Sequence, residues 1–384
     1  MFTLTALLIT GGIGLTWLLN PYGATRSGFI DPIFRKVKDA RLVTPYLLRT
    51  AHPQTLLLGS SRVLMGMRIE QGERDGVLNG AIDGATLSQI SRIVKAALKN
   101  PQLKRIIWGV DFFAFSTHWN SDDPNFDARI ADRPEARLED TLLSLNALGD
   151  GFDFFKRSLR GRARLRTTMR AQVPWSRELI CRELVTDRID GLDVGTPAQI
   201  EIEMRQFMYL YRHYEFSQAQ LDLFRDTVRR IRAHKVALVL FVPPMSEYEL
   251  ELIRQTGHWS DFEKFKRALA AVAPFYDFAA YNEMSRHDEF FLQVIHYKAS
   301  VGHQILRMLL GMKLATCAEA QIVTQSAQLV DDRSINQVLA TEEQMRDRAD
   351  AQDSRYSRLA AQAVNFSRDE KPTGDRGEPA AGLW

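Results

Sequence analysis

The chain has 384 residues, of which 45% are hydrophobic, 10% aromatic and 25% charged, a balance typical of a globular protein. Its 50 basic and 47 acidic residues give a formal net charge of +3, so no whole-molecule field favours nucleic acid as a partner. Two cysteines, Cys181 and Cys317, are too few for a disulfide framework or a cysteine-rich metal site. The sequence alone gives no reason to expect that they pair.

Residues Phe2–Leu19 carry no charge over 18 positions, the lower limit for a helix that crosses a bilayer. Trp17 and Tyr22 suit an interfacial aromatic belt. A cleaved signal peptide is one alternative, but the segment lacks a basic start and a clear small-residue cleavage site. A buried core helix is another, which three glycines disfavour. We therefore expect an uncleaved membrane anchor at residues 1–20, followed by a linker at 21–45.

The next part of the chain alternates apolar strands with amphipathic helices. Such alternation indicates a parallel sheet covered on both faces, so we expect a three-layer α/β/α domain at residues 46–312. Between its third and fourth strands, helical periodicity predicts a helical insertion at about 119–230. The expected strands are Gln54–Leu58, Gly76–Asn79, Arg105–Val110 and Ala237–Val242, and the clearest expected helices are Thr86–Lys99 and Val301–Leu310.

The end of the chain differs in composition. From Cys317 to Trp384 there are 8 basic and 12 acidic residues, a net charge of −4, whereas the rest of the chain has +7. Ala, Gln, Asp, Arg and Ser dominate this segment, and large apolar residues are few. We expect residues 313–384 to be mostly disordered, with at most one loose helix.

A serine follows the first predicted strand, in the run Gly59-Ser60-Ser61-Arg62. Ligands of open parallel sheets bind beyond the carboxyl ends of the strands, where a serine hydroxyl can project into the cleft. Such a nucleophile needs a base, and His296 precedes the last helix, where its loop can return to the same sheet edge. A small-residue turn and a packed histidine are the alternative interpretations. His287 with Asp288 forms a second, more solvated pair.

A basic run, Lys156–Arg170, has seven cations and no acid in 15 residues. It is compatible with anionic lipid headgroups or an acidic polysaccharide, and equally with a solvated helix face. Aromatic residues are not interleaved with the cations, which disfavours single-stranded nucleic acid. The sequence has no Walker loop, dinucleotide fingerprint or zinc-spaced ligand set, so we predict no cofactor and no metal.

The motifs, taken in order, resemble the SGNH/GDSL hydrolase superfamily. They are GSSR after a strand, N-G-A-I-D-G at Asn79–Gly84, W-G-V-D at Trp108–Asp111, then V-P-P, and I-H-Y-K-A-S-V-G at Ile295–Gly302. More narrowly, the chain is similar to membrane-anchored SGNH-like proteins of bacterial envelope and exopolysaccharide O-acetylation gene sets. The resemblance spans about residues 42–311.

The resemblance implies a role for each matching position. Ser61 matches the nucleophile and His296 the base, while the amides of Ser61 and Gly84 would face the oxyanion. Asp111 stands where the superfamily has an oxyanion-stabilising asparagine, and Gln293 stands three residues before the histidine, where an aspartate is usual. An amide can orient the imidazole but brings no charge. Three outcomes are open: slow turnover, recruitment of another acid such as Asp288 or Asp83, or loss of the chemistry.

From this resemblance we expect a serine esterase or O-acetyltransferase that acts on acylated glycans of the cell envelope or exopolysaccharide. The alternative is a non-catalytic SGNH-fold scaffold subunit of a membrane-bound polysaccharide or other envelope complex, with an envelope membrane protein as partner. The resemblance implies a single-pass inner-membrane protein whose body faces the periplasm. Five cations between Arg26 and Arg41 favour the opposite, cytoplasmic orientation by the positive-inside rule.

Overall fold

The computed structural model describes residues 2–25, 29, 39–67, 76–120, 123–167, 176–185, 188–189, 192–193, 197–350 and 354–369. Most of the expected linker after residue 25 and the last 15 positions of the expected disordered segment lie outside these residues. The second half of the basic run has described backbone up to residue 167 only.

The described residues contain ten strands, and six of them form one sheet in the order β10-β7-β6-β3-β1-β2. Neighbours in this sheet are parallel except β10, which runs antiparallel to β7. Two small antiparallel pairs, β4–β5 and β8–β9, stand apart from it. The strands are β1 Thr55–Leu58, β2 Val77–Asn79, β3 Arg105–Gly109, β4 Arg188–Ile189, β5 Leu192–Asp193, β6 Ala237–Val242, β7 Phe275–Asp277, β8 Phe291–Gln293, β9 His296–Tyr297 and β10 Gln328–Val330.

Helices make up most of the remaining structure. In chain order they are α1 Phe2–Leu19, α2 Ala40–Thr50, α3 Ser61–Gly66, α4 Leu87–Ala97, α5 Pro124–Ile130, α6 Pro134–Arg137, α7 Leu145–Thr167, α8 Arg177–Val185, α9 Pro197–Phe207, α10 Tyr209–Arg212, α11 Gln218–Ala233, α12 Glu247–Gln255, α13 Trp259–Ala270, α14 Ala299–Leu309, α15 Ala318–Gln325, α16 Ile335–Asp350 and α17 Arg355–Asp369. Short 3₁₀ turns at Phe112–Phe115 and Asp288–Phe290 and a π turn at Leu138–Leu142 complete the set.

The central strands are buried on both faces, which is why they read as continuous apolar runs rather than as alternating ones. Leu56 and Ile106 belong to the hydrophobic core on one face, together with residues of α4, α11 and α13. Leu57 and Ile107 belong to the core on the other face, with residues of α14, α15 and α8. The prediction of a mixed α/β fold with a mostly parallel sheet is confirmed.

Strand order locates the natural cleft of this sheet. The five parallel strands are arranged β2-β1-β3-β6-β7, so the direction of winding reverses between β1 and β3. In open α/β sheets, ligands bind outside the carboxyl ends of the strands at such a reversal. The segments that leave β1 and β3 therefore bound the expected cleft.

The predicted helix after β2 is present as α4 and begins with a reciprocal capping arrangement. The Thr86 hydroxyl accepts from the Gln89 backbone N–H at 3.2 Å, and the Gln89 side-chain oxygen accepts from the Thr86 N–H at 3.1 Å. Two otherwise unpaired N–H groups of the first turn are thereby satisfied, which explains why the helix begins here.

The region predicted as a helical insertion contains α5 to α10 and the small β4–β5 hairpin. Its expected end near residue 230 is too late, because α11 packs against α4 and β6 and so belongs to a helical layer of the sheet. The linker boundary also needs correction. Helix α2 runs across residue 45, and its Val43 and Tyr46 are buried in the core.

The prediction of a mostly disordered segment after residue 312 is wrong for the described part of it. Strand β10 extends the main sheet, with Val330 opposite Phe275 and fully buried. Helix α17 packs against α12 and α9 through small side chains that include the buried Ala360 and Ala363. The composition predicted disorder because each alanine buries little surface. Alanines nevertheless allow helices to pack closely, and α17 is held in this way.

The two cysteines are joined, although no pattern in the sequence predicts it. Cys181 on α8 and Cys317, immediately before α15, form a disulfide with a Cα–Cα distance of 5.8 Å across 136 positions of chain. Their spacing carries no local pattern, so only the packing of α8 against α14 and α15 brings them together.

The N-terminal apolar segment forms the helix α1, which packs against α7. Among the residues that the structure describes, no helix combines the length and apolarity needed to cross a bilayer. Tyr22, expected in an interfacial belt, is buried, and its hydroxyl donates to the Asp150 carboxylate of α7 at 2.8 Å.

Candidate active site

Ser61 lies at the carboxyl end of β1, as the first residue of α3. Ser60 caps this helix, with its hydroxyl accepting from the Arg62 N–H at 3.3 Å. Gly59 has φ +152, and a Cβ there would collide with the Val63 side chain. The tight turn therefore requires glycine, and it places the Ser61 hydroxyl at the reversal of strand order.

His296 reaches the same position from the β8–β9 hairpin, 235 residues later in the chain. Its Nε2 is 2.9 Å from the Ser61 Oγ, and its Nδ1 is 2.7 Å from the Gln293 Oε1. The Gln293 carbonyl can only accept, so it fixes the proton on Nδ1 and leaves Nε2 free to accept from the serine. The three predicted residues thus form one chain of hydrogen bonds with the tautomer that a general base needs.

The hairpin that carries His296 is held by groups outside the main sheet. The backbone N–H of Val294 donates to the buried Glu203 carboxylate of α9 at 3.0 Å, and the Val294 carbonyl accepts from the Ser246 hydroxyl. After the hairpin, α14 crosses α3 so closely that a Cβ on Gly302 would overlap the Gly66 carbonyl. The base is positioned by the insertion and by this crossing.

Arg62, next to Ser61, is fully buried between two carboxylates. Its Nη2 donates to Glu249 Oε1, and its Nε lies 3.3 Å from Asp111 Oδ1. The Tyr211 hydroxyl also donates to Glu249. The pKa of Arg62 is raised: burial opposes the charge, but the two carboxylates more than compensate. The guanidinium is thus a permanent positive charge one residue from Ser61.

Asp111 is engaged by its neighbours rather than standing alone. Burial raises the pKa of Asp111, while Arg62 and hydrogen bonds from the Ser60 hydroxyl and N–H favour its ionised form. The carboxylate therefore joins Arg62 and Ser60 in supporting the nucleophile turn.

Gly84 lies in the loop between β2 and α4, with φ +53. Its carbonyl accepts from the Trp119 indole at 3.2 Å and from Arg41 at 3.4 Å. The loop is joined to the nucleophile turn through the Ile82 N–H, which donates to the Gly59 carbonyl at 3.2 Å. This contact brings the second predicted motif against the first, and the direction of the Gly84 amide stays a prediction.

The electrostatic surroundings of His296 oppose protonation. Burial lowers its pKa to about 3, and the positive charge of Arg62 acts in the same direction. Each pKa unit corresponds to about 1.4 kcal/mol, so the imidazolium is several kcal/mol harder to form here than in water. The imidazole is neutral and correctly oriented, but it is a weak base.

The serine and the histidine are enclosed, since each is only 3% exposed. The Phe207 ring of α9 meets the His296 ring edge-on at 6.2 Å. A cavity beside Gln293, lined also by Ile200, Glu203 and Tyr248, measures about 20 Å³. That volume holds about one water molecule.

The other acids considered from sequence do not replace the missing aspartate. Both ring nitrogens of His296 are engaged by Ser61 and Gln293, while Asp288 binds Tyr248 and Arg355 and Asp83 interacts with Arg41. His287 contacts Glu289 at 2.7 Å and its side chain is 43% exposed, in keeping with the solvated interpretation.

Sequence reasoning missed the buried partners of the site. Arg62 was part of a recognised motif but had no assigned role, and Glu249 lies on a helix whose glutamates at 247, 249 and 251 are all buried. Because these three are two residues apart, helical periodicity gives no signal for which of them faces the site.

Two further observations bear on identity. In the part of the chain that the structure describes, no three His, Cys, Asp or Glu side chains come together as a metal site would need. No protein-family model matches the chain, and no curated protein is similar enough to count as a relative.

Proposed function

We propose that this protein is a serine-dependent acyl-transfer enzyme of the SGNH-like type, an esterase or O-acetyltransferase. The observation that carries the proposal is the continuous hydrogen-bonded chain from Ser61 through His296 to Gln293. Nucleophile and base within hydrogen-bond reach, with the base oriented by a third group, is the arrangement that covalent acyl transfer requires.

In this mechanism the Ser61 oxygen attacks the carbonyl carbon of an ester and passes its proton to His296 Nε2. The tetrahedral intermediate then collapses: the C–O bond to the alcohol breaks, and that alcohol leaves with the proton from His296. An acyl-serine remains. Water or a sugar hydroxyl next loses its proton to His296 and attacks the acyl carbon. The bond from that carbon to the Ser61 oxygen then breaks, and the proton of His296 returns to restore the Ser61 hydroxyl. Water gives hydrolysis, whereas a sugar gives transfer.

Oxyanion stabilisation falls to backbone amides in this proposal. The Ser61 N–H lies at the start of α3, and the Gly84 N–H is in the adjacent loop. Removal of one such donor costs about 10²–10³ in turnover in a well-studied protease. Asp111 contributes indirectly, because its carboxylate binds Arg62 and Ser60 and so supports the turn.

We expect the reaction to be slow. A carboxylate beside the imidazole normally stabilises the imidazolium that forms in the transition state, and its loss costs about 10⁴ in a serine protease. Here Gln293 supplies orientation without charge, and Arg62 disfavours the imidazolium further.

The proposed substrate is an acyl ester of a cell-envelope or exopolysaccharide glycan, on the basis of the motif resemblance. The proposed location is the periplasmic side of the inner membrane, with residues 1–20 as the anchor and an envelope membrane protein as partner. The disulfide between Cys181 and Cys317 supports this location, because disulfides persist in oxidising compartments such as the periplasm.

A serine-reactive fluorophosphonate probe tests the proposal. We expect the wild-type protein to be labelled and the Ser61→Ala protein to lose about 10³-fold or more of that labelling, since the nucleophile is absent. The matched control is Ser326→Ala, which removes a remote, buried serine hydroxyl immediately after α15. Labelling that persists in Ser61→Ala, or disappears equally in both variants, would contradict the assignment.

A second candidate is a non-catalytic scaffold of a membrane-bound polysaccharide or other envelope complex. It is favoured by the low pKa of His296, the absence of a carboxylate partner and the enclosure of the dyad. Absence of probe labelling in protein shown to be folded by its circular dichroism would favour this candidate.

A further inference from the structure

Helix α7 has an inner face that packs against the N-terminal helix. Its residues Ala147, Phe154 and Ser158 are buried, and Phe154 clusters with Leu19 of α1. At Gly151, a Cβ would lie about 3 Å from the Leu19 side chain. This face explains how the helix is attached to the protein.

The opposite face of α7 is apolar and exposed. Leu145, Phe152 and Leu159, spaced seven residues apart, lie on one side of the helix and are 85%, 43% and 51% exposed. Leu143, just before the helix, and Trp17 on α1 are also more than half exposed. Single exposed apolar residues are ordinary, but an aligned stripe beside two further large side chains marks an interaction surface.

Cations follow this apolar stripe along the same helix. Lys156 lies on the stripe itself between Phe152 and Leu159, with its side chain 64% exposed, and Arg160 is exposed one residue beyond Leu159. The sequence of the helix continues with Arg162, Arg164 and Arg166 and has no acid after Asp153. The two exposed cations Lys156 and Arg160 thus lie beside the last apolar residue of the stripe, Leu159.

We propose that the stripe Leu145–Phe152–Leu159, with the cations that follow it, is a docking surface for an anionic lipid bilayer. Apolar side chains of such a helix enter the boundary between headgroups and acyl chains, while lysine and arginine bind anionic headgroups. Helix α7 packs directly on α1, the predicted anchor, so the surface is continuous with the part of the chain expected at the membrane. Docking here would hold the catalytic body against the bilayer.

A fluorescent label on the stripe tests this docking in the full chain. Both native cysteines are in the disulfide, so Phe152→Cys offers the one thiol for an environment-sensitive dye. The labelled protein is reconstituted in phosphatidylcholine vesicles with or without phosphatidylglycerol. We expect blue-shifted, stronger emission only with phosphatidylglycerol. The control is a dye on Arg229→Cys of α11, a 77% exposed side chain, whose emission should not change.

Charge variants measure the contribution of the cations. In the labelled protein, Lys156→Gln with Arg160→Gln should weaken docking by about fivefold per charge removed, as judged from emission against phosphatidylglycerol content. The matched control replaces two exposed arginines of α11, Arg225→Gln with Arg229→Gln, and should leave docking unchanged.

Three outcomes would overturn the proposal. The first is emission from the Phe152 position that is the same in neutral and anionic vesicles. The second is emission that responds to a soluble acidic polysaccharide and not to lipid. The third is a Leu145→Ser/Phe152→Ser variant that changes the oligomeric state, since the stripe would then be a contact between copies of the chain. None of these readouts depends on the reactivity of Ser61.

Discussion

Two buried cations of this protein, Arg62 and Lys266, each lie between two carboxylates, yet they are satisfied very differently. Lys266 Nζ donates to the Ala279 carbonyl at 2.7 Å and to both Glu342 oxygens at 2.8 Å, and it lies 2.8 Å from Asp277. Among the described atoms, Arg62 Nε and Nη1 have no hydrogen-bond partner.

Under the proposed function, the difference separates an ion-pair cluster that only stabilises the fold from one that supports the candidate active site. The Lys266 cluster joins α13 and β7 to α16, and its short contacts hold the C-terminal helices on the sheet. The cluster of Arg62, Asp111 and Glu249 supports the nucleophile turn and holds a positive charge near His296. Incompletely paired buried groups are costly and therefore call for an explanation, which a reactive site provides.

The largest expected effect is the loss of stability when the Lys266 cluster loses its cation. Lys266→Met leaves two buried carboxylates without their cation and should lower the free energy of unfolding by about 3–5 kcal/mol. Chemical denaturation measures it, with Lys264→Met, an exposed lysine on the same helix, as control. The folded fraction should keep its Ser61 labelling. A loss below about 1 kcal/mol, the scale of an exposed ion pair, would contradict the assigned role.

Removal of the complete cluster sharpens the same test. The triple variant Lys266→Met, Asp277→Asn and Glu342→Gln should regain most of the stability that the single variant loses, because no unpaired charge then remains buried. A triple variant that is less stable than Lys266→Met would show that the ion pairs themselves carry the stability.

The disulfide between Cys181 and Cys317 is a second, covalent link that holds the C-terminal region. Cys181→Ser opens a loop of 136 positions and should lower the free energy of unfolding by about 2–5 kcal/mol, mainly through the unfolded chain. Reduction of the wild-type protein with dithiothreitol should reproduce the loss, whereas Cys181→Ser should not respond to the reductant. Equal unfolding midpoints with and without reductant would exclude a stabilising disulfide.

A carboxylate introduced beside His296 should offset the effect of the positive charge of Arg62 on the imidazole. Gln293→Asp should raise the rate of fluorophosphonate labelling by about 10–100-fold, because an acid stabilises the imidazolium that the reaction forms. It should also raise the pKa of His296. Gln293→Asn, which lacks the charge, is the control and should give no gain. An unchanged rate for the aspartate variant would argue that proton transfer does not limit labelling.

The last two expected effects are pH dependences of stability, and they have opposite signs. Because burial lowers the pKa of His296 to about 3, the unfolded chain binds its proton more readily, and stability falls as the pH drops from about 6.5 toward 3. The slope is about 1.4 kcal/mol per pH unit. The difference in stability between the wild-type protein and His296→Gln, measured against pH, isolates the contribution of His296. A difference that does not vary with pH would contradict the low pKa.

For Glu342 the pH dependence of stability has the opposite sign. Burial, the dominant cause, raises its pKa to about 7, so the folded protein holds this proton more tightly than the unfolded chain does. Its contribution to stability is therefore present below about pH 4.5 and is lost as the pH rises toward 7. The stability of the wild-type protein relative to Glu342→Gln should decrease across this window. An increase would mean that pairing with Lys266 outweighs burial.

Particular elements show which features of the fold were predictable. Strands such as Ala237–Val242 and the capped helix after Thr86 were predictable because burial on both faces and N-capping leave local patterns in the sequence. Strand β10 was not, because a three-residue edge strand with only Val330 buried leaves no apolar run. The disulfide and the Lys266 cluster join positions far apart in the chain, and no local pattern records them.

The amino-acid sequence by itself pointed to Ser61 and His296, since each lies in a short motif next to a recognisable element, and the family resemblance added Gln293, three residues before the histidine. Only the tertiary structure decided that a hydroxyl and an imidazole 235 residues apart meet at 2.9 Å. It also decided that Arg62 is buried beside them. The physical reason is that burial and electrostatic fields arise from packing between distant segments, which no local sequence pattern reveals.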